Sequence, residues 1–424
     1  MTGYGKEEES MMQEAQDRLK HRKGSARLVL TDKDGSVKAG REVRIRMRQH
    51  EFLFGCTEFS AHALANGELE GLAKEQAQER FRHFFEVFNA STLSFYWGRF
   101  EPVQGQPDTI RTRKTAQWFK EKNITLKGHP LCWHTVCAPW LMEMSNKDIL
   151  TTQLNRIRRD VNEFEGLIDM WDVINEVVIM PFFDKYDNAI TRICKELGRI
   201  RLVREVFGAA KRANPNATLL LNDFWTDEAY DILIEGCLEA GIPIDVVGIQ
   251  SHMHQGYWGV EKTQEILERY GRFRLPIHFT ENTLVSGDIM PRHIVDLNDY
   301  QVDAWPSTPE GLERQAREVE THYTTLFEND LVESITWWGM LDGGWLKAPS
   351  GLLTADSKPK PAYDALYELV RKKWWTPDQT LVTDADGAVT VSGFRGQYEA
   401  VCDDETVSFK ISRSSDPGVA MPHF

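Results

Sequence analysis

Between residues 52 and 373 short apolar runs alternate with longer amphipathic stretches, and the alternation repeats eight times. The apolar runs read FLFGCTEF, VFNASTLSF, ITLKGHPLCW, IDMWDVINE, ATLLLNDFW, IDVVGIQSH, LPIHFTEN and ESITWWGML, of strand length and rich in branched and aromatic residues. Between them lie stretches such as KEQAQERFRHFFEV and EGLERQAREVETHYTTLF, patterned as helices. Strands alternating with helices predict βαβ units and a parallel sheet, and eight such units over this length predict a closed (β/α)8 TIM barrel. An open doubly wound sheet is disfavoured because no G-x-G-x-x-G or Walker-type phosphate turn follows any of the runs. No cofactor is expected.

The two ends follow a different rhythm. Residues 25–50 and 380–412 alternate apolar and polar positions around Asp-Gly pairs, the pattern of antiparallel β with tight turns. Neither end is long enough to bury a core alone, so the termini are expected to pair into one small β module packed on the barrel. The boundaries read from this rhythm are 1–23 for a helical or disordered N-terminal segment, 24–51 with 376–415 for the module, and 52–375 for the barrel. A structural brace is the simpler role for the module, and carbohydrate binding the more specialised one.

A formal charge of −14 and a pI near 5.4 argue against a surface that tracks phosphates, so no nucleic-acid partner is expected. The N-terminal residues carry charge where a secretory signal would need an apolar centre, and no run of 18 apolar residues occurs. This predicts a cytoplasmic protein with no membrane partner, a removed signal being the alternative that would make it secreted. The six cysteines, Cys56, Cys132, Cys137, Cys194, Cys237 and Cys402, are scattered and read mostly as reduced core thiols.

In a barrel of this kind the active site gathers at the C-terminal ends of the strands, and polar residues stand there on six of the eight. They are His129 and Trp133 on the third, Asn175 and Glu176 on the fourth, Asn222 and Asp223 on the fifth, Gln250 and His252 on the sixth, Glu281 on the seventh, and Trp338 with Asp342 on the eighth. Two carboxylates from different strands among amide, imidazole and indole groups suit glycoside hydrolysis, which needs one acid for the leaving oxygen and one nucleophile beneath the ring. His129, Cys132, His134 and Cys137 crowd together like zinc ligands. If 127–134 is one strand, alternation splits them between two faces, and no metal is expected.

Six segments in order then carry a resemblance. KGHPLCWHT, WDVINE, GIQSH, FTEN, TWWG and KPKPAYDAL match the motifs of glycoside hydrolase family 10, the retaining β-xylanases, from about Phe52 to Lys373. The resemblance implies Glu176 as general acid/base, Glu281 as nucleophile and Asn175 as a hydrogen-bond partner of the sugar 2-hydroxyl. It also implies that His129 and Trp133 line the subsite of the cleaved sugar, that Gln250 and His252 position Glu281, and that Trp338 and Trp345 stack on sugar faces.

Three departures accompany it. The family's strand-two motif E-N-x-M-K-W is replaced by TLSFYW, so Thr92, Leu93 and Tyr96 stand where three polar sugar ligands would be. Tyr96 either blocks that subsite or stacks on another group. The family's T-E-L-D after the nucleophile is TENT here, putting Thr283 where an Asp would partner His252, and the imidazole is then less easily protonated. The loop after the seventh strand is long, and Tyr300 and Trp305 give it the makings of a substrate-covering lid. The expected partner is thus an oligosaccharide or small β-glycoside in place of polymeric xylan, with a catalytically silent sugar-binding barrel as the alternative.

Overall fold

The computed structural model describes residues 17–32 and 34–413, with the backbone of Val419–Ala420. The reading of residues 1–16 as helical or disordered lies outside the described residues. Strands β1 (Lys23–Val29) and β2 (Glu42–His50) precede eight barrel strands: β3 (Leu53–Thr57), β4 (Ala90–Ser94), β5 (Thr125–His129), β6 (Met170–Asn175), β7 (Thr218–Asp223), β8 (Val246–Met253), β9 (Ile277–Leu284) and β10 (Val332–Trp338). These eight close in sequence order, with β10 returning to β3, and their pairings are parallel. Helices occupy the stretches between, among them Gly71–Val87, Asn146–Glu163 and Pro309–Phe327. This is a (β/α)8 barrel. A parallel sheet covered on both faces should be made of apolar runs, and all eight residues of β9 are buried.

After the barrel come β11 (Gln379–Val382), β12 (Ala388–Phe394), β13 (Gly396–Cys402), β14 (Glu405–Ile411) and β15 (Val419–Ala420). The ends do pair with each other, as expected, and they do so in two sheets. One sheet runs β12-β1-β15 and the other β11-β2-β13-β14. Local alternation specifies that a segment is a strand but not which distant strand it meets, so β1 and β2, neighbours in sequence, find different partners.

The chain divides into two compact units. One is built from the described parts of Met1–Leu53, Leu326–Asp330 and Leu366–Phe424, and the other from Phe54–Thr325 and Leu331–Ala365. Within the first, Arg22 donates to the carbonyl of Phe327 at 2.8 Å while its guanidinium lies 4.7 Å from the Phe52 ring and 4.9 Å from that of Phe327. All six cysteines are free and five are buried. No helix among the described residues is long and apolar enough to cross a membrane.

In the second unit the packing that seats β5 depends on a missing side chain. A Cβ at Gly128 would lie 2.2 Å from the ring of Trp171 on β6, so only glycine lets these two strands approach there.

Candidate active site

The WDVINE segment poses a geometrical problem, since strict alternation would aim Asp172 and Asn175 to opposite faces and likewise Asn175 and Glu176. Two backbone irregularities resolve it. A register shift between Asp172 and Ile174 in the pairing with β7 marks a bulge, and the extra residue returns Asn175 to the face that Asp172 occupies. Glu176 then takes a left-handed backbone, φ 57°, which swings its side chain to the same side as its neighbour's. Asn175 Nδ2 donates to Glu176 Oε1 at 3.2 Å.

Around this corner the amide groups form one network. Asn175 Oδ1 accepts from Asn222 Nδ2 at 2.8 Å and from Gln250 Nε2 at 3.1 Å. Gln250 also donates to Glu176 Oε1 at 3.1 Å, and Asn222 to Glu281 Oε1 at 3.2 Å. The two carboxylates are therefore joined through three amides on β6, β7 and β8. Gly248 makes room for Asn222, whose Oδ1 would lie 2.5 Å from a Cβ there. Trp133 Nε1 completes the shell of Glu176 by donating to Oε2 at 2.8 Å.

The carboxylates share a neighbourhood and differ in what surrounds them. Burial pushes Glu176 up to about 8, against hydrogen bonds from Trp133 and Gln250 that favour its anion, with the charge of Glu281 adding a smaller push upward. Burial acts on Glu281 too, but His129, His252 and Lys127 together outweigh it and hold the carboxyl below the usual range. One group is kept as an acid and the other as an anion.

The wall beside Glu281 rests on a buried charge cluster. Asp172 Oδ2 lies 2.7 Å from both Lys127 Nζ and His129 Nδ1, and His129 Nε2 faces Glu281 Oε1 at 3.9 Å. On β8, His252 Nε2 meets Glu281 Oε2 at 3.1 Å. Tyr96 sets its ring 5.8 Å from His129 and 5.5 Å from Trp133. Trp338 stands edge-on between His129 at 5.3 Å and His252 at 6.3 Å, and only 8% of it is exposed, so it serves as a floor more than an open platform. Trp345 is more open, 4.8 Å from the ring of His252, with its indole N–H donated to Asn298.

Loops carrying these groups are braced from behind. Asp223 accepts from the backbone N–H of Val178 at 3.0 Å and of Trp225 at 3.1 Å, holding the chain just past Glu176. Lys360 joins Asp342 at 2.8 Å and the carbonyl of Gly351 at 2.8 Å, closing the base of the loop that presents Trp345. The long loop after β9 has its own small core of Val285, Met290 and Trp305 with Ala348, against which Tyr300 and Leu346 pack. Trp305 is buried and donates to the carbonyl of Asp288, so it builds the loop and offers little surface to a substrate. Lys185, beyond Glu176, reaches Asp296 and Asp299 of that loop at 2.6 Å each.

Glu176, Glu281, His129, Trp133, Asn175, Gln250, His252, Trp338, Trp345 and Tyr96, all singled out from the sequence, lie at this end of the barrel. Gln250, expected to position Glu281, instead bonds Glu176. The strand carrying His129 ends at that residue, so alternation does not govern Cys132 and His134. What separates them is that His129 is engaged by Asp172 while burial raises the Cys132 thiol far above its usual range. Among the described residues no group of three His, Cys, Asp or Glu could hold a metal ion. Sequence reasoning passed over Lys127, Asp172 and His254. A charge inside an otherwise apolar strand, as in IDMWDV and ITLKGH, was the signal that could have found the first two.

Comparison with known proteins places the chain in a family. Glycosyl hydrolase family 10 matches residues 57–369. The chain is similar to endo-1,4-beta-xylanase B of Thermotoga neapolitana, 26% identical over 293 residues that span 65% of this chain and 78% of that one. It is 24% identical over 297 residues to an endo-1,4-beta-xylanase/feruloyl esterase of Xylanibacter ruminicola, covering 61% of this chain and 39% of that longer protein. The fold is that of xylanase 10B from Thermotoga petrophila RKU-1, solved in complex with xylobiose, with a TM-score of 0.61 at 22% identity over 76% of this chain and 95% of that one. With a match running from the end of the first barrel strand to beyond the last, this chain belongs to glycosyl hydrolase family 10 and is a glycoside hydrolase of the xylanase kind.

Proposed function

We propose that the chain is a retaining β-glycosidase in which Glu176 is the general acid/base and Glu281 the nucleophile, acting on short or unusual β-glycosides. The observation that carries this reading is a pair of buried carboxyls, Glu176 at the end of β6 and Glu281 on β9, joined through Asn175, Asn222 and Gln250, with burial raising Glu176 to about 8 and His129, His252 and Lys127 holding Glu281 down. At neutral pH one can donate a proton to the leaving oxygen while the other attacks the anomeric carbon, and in the second half-reaction Glu176 takes a proton from water. Asn175, tied to Asn222 and Gln250, is placed to hold the 2-hydroxyl as the ring gains oxocarbenium character. Trp133, His129 and Tyr96 enclose the cleaved sugar. The Tyr96 ring takes the place where the xylanase motif has a lysine, which supports a preference for substrates short on the non-reducing side.

Mechanism and substrate can be tested together with 2-deoxy-2-fluoro β-glycosides of xylose, glucose, galactose and arabinose carrying a dinitrophenyl leaving group. Time-dependent inactivation should occur with at least one sugar, and digestion should place the glycosyl mass on the peptide containing Glu281. Turnover of the matching unsubstituted aryl glycoside with inversion at the anomeric carbon would overturn the reading.

A further inference from the structure

The side chains behind Glu281 form a chain of contacts that reaches deeper than the nucleophile's own neighbours. Strands β8 and β9 run side by side with His252 in register with Thr283, so Gln250 and His252 from β8 share one face with Glu281 and Thr283 from β9, and His254 follows in the turn just past the end of β8. His252 Nε2 meets Glu281 Oε2 at 3.1 Å, His252 Nδ1 meets Thr283 Oγ1 at 3.3 Å, and Thr283 Oγ1 meets His254 Nδ1 at 3.3 Å. His254 is fully buried. Its rim faces the rings of Trp345 at 5.0 Å and Trp305 at 6.0 Å, and its Nε2 has no hydrogen-bond partner among the described residues.

We propose that Thr283 and His254 are positioning residues, a hydroxyl-bridged relay that fixes His252 as the tautomer bearing its proton on Nε2, so that a neutral N–H holds the Glu281 carboxylate. The proposal rests on Glu281 being the nucleophile only for its kinetic consequence. The direction of the relay follows from its buried end. A hydroxyl has one proton, so Thr283 donates to one imidazole and accepts from the other. Were it to donate to His254, the only ring proton of that imidazole would sit on Nε2, a buried donor without an acceptor, which folded proteins avoid more strictly than a bare acceptor. The opposite direction leaves His254 Nδ1–H donating to Thr283, Thr283 O–H donating to His252 Nδ1, and His252 Nε2–H donating to Glu281. Burial and the neighbouring His252 favour the neutral form of His254, lowering it to about 3, in keeping with that arrangement. A family member with an aspartate at the Thr283 position would stabilise an imidazolium there, whereas here the second histidine and a hydroxyl specify a neutral one. The other groups facing Glu281 are His129, Lys127, Asn222, Tyr96 and Glu176.

The test is nitrogen-15 NMR of histidine-labelled full-length protein, with His252 and His254 assigned by single substitutions, alongside pH profiles of kcat/KM on an aryl β-glycoside. Near pH 7, His252 should show a protonated Nε2 and a bare Nδ1, and His254 the reverse. Thr283→Val should collapse the His252 pattern, reduce kcat/KM at least tenfold at pH 6 and move the acidic limb to higher pH, because Glu281 loses a fixed donor. Thr283→Ser should restore pattern and limb, as should His254→Asn, whose amide offers a donor in the Nδ1 place, while His254→Leu should not. A proton on Nδ1 of His252 in the parent protein overturns the relay, and so does a Thr283→Val protein that loses activity with pattern and limb unchanged. If the tautomers are as stated but no β-glycoside is cleaved, the relay stands and the function proposed for Glu281 falls. The parent spectrum decides the tautomer even if a variant fails to fold.

Discussion

At the scale of single residues, the proposed chemistry depends on two carboxyls whose surroundings push them in opposite directions, Glu176 upward and Glu281 downward. The proposed mechanism needs Glu281 ionised and Glu176 protonated at once, so kcat/KM should fall as pH rises through about 8, to which burial raises Glu176. On the acid side, activity should persist to below the ordinary carboxylate range because Glu281 stays ionised there. A stopped assay across about pH 2 to 10 with a poor leaving group would show the bell, and a flat profile would contradict the pair. Glu176→Gln should lower kcat/KM by roughly 10²–10⁴-fold on unactivated glycosides, the usual weight of a general acid, and much less on dinitrophenyl substrates that need no proton. Equal losses on both would remove Glu176 from the acid's place.

The strands were legible in the sequence for a reason that belongs to the scale of elements. Each is covered by helices and buried on both faces, so it appears as a nearly unbroken apolar run, and the polar residues interrupting it near its end mark the mouth of the barrel. Partners were less legible. That Gln250 reaches Glu176 and not Glu281, or that Thr283 touches His254, depends on which neighbouring strand a side chain leans toward, and a bulge or a positive φ changes that without leaving a distinctive residue. The loop after β9 shows the same limit: its aromatic residues were visible, but not that Trp305 turns inward to make a core with Ala348 from the loop after β10. Trp305→Ala should cost about 3–5 kcal/mol in that small core, enough to loosen the loop without unfolding the barrel. Hydrogen exchange should then rise in residues 285–305 and stay unchanged in the barrel strands. By contrast Gly128→Ala strikes two barrel strands at once, and the contact with Trp171 should lower global stability by about 1–3 kcal/mol in a urea titration.

For the whole molecule, substrate length is the property that sums these parts. With Thr92, Leu93 and Tyr96 replacing three polar ligands of the xylanase motif, and each charged hydrogen bond of that kind contributing about 1.5–3 kcal/mol, added xylose units on the non-reducing side should bring little. Aryl β-xyloside, xylobioside and xylotrioside with one leaving group should differ in kcat/KM by less than about a hundredfold, since a larger rise means about 2.7 kcal/mol of new transition-state binding. The left-handed backbone at Glu176 adds a consequence for heat resistance. A long side chain such as glutamate's gains no local backbone hydrogen bond from that conformation, and holding it there costs about 1–3 kcal/mol that the surrounding strands must absorb. Asparagine tolerates the same backbone more readily and keeps a polar group for Trp133 and Gln250 to meet. Glu176→Asn should therefore yield an inactive protein whose Tm equals or exceeds that of the parent, and a clear drop in Tm would show that no strain was stored there. On that outcome the corner holding Glu176 is a place where the protein is less durable than its own inactive variant, a deficit that selection for activity would maintain.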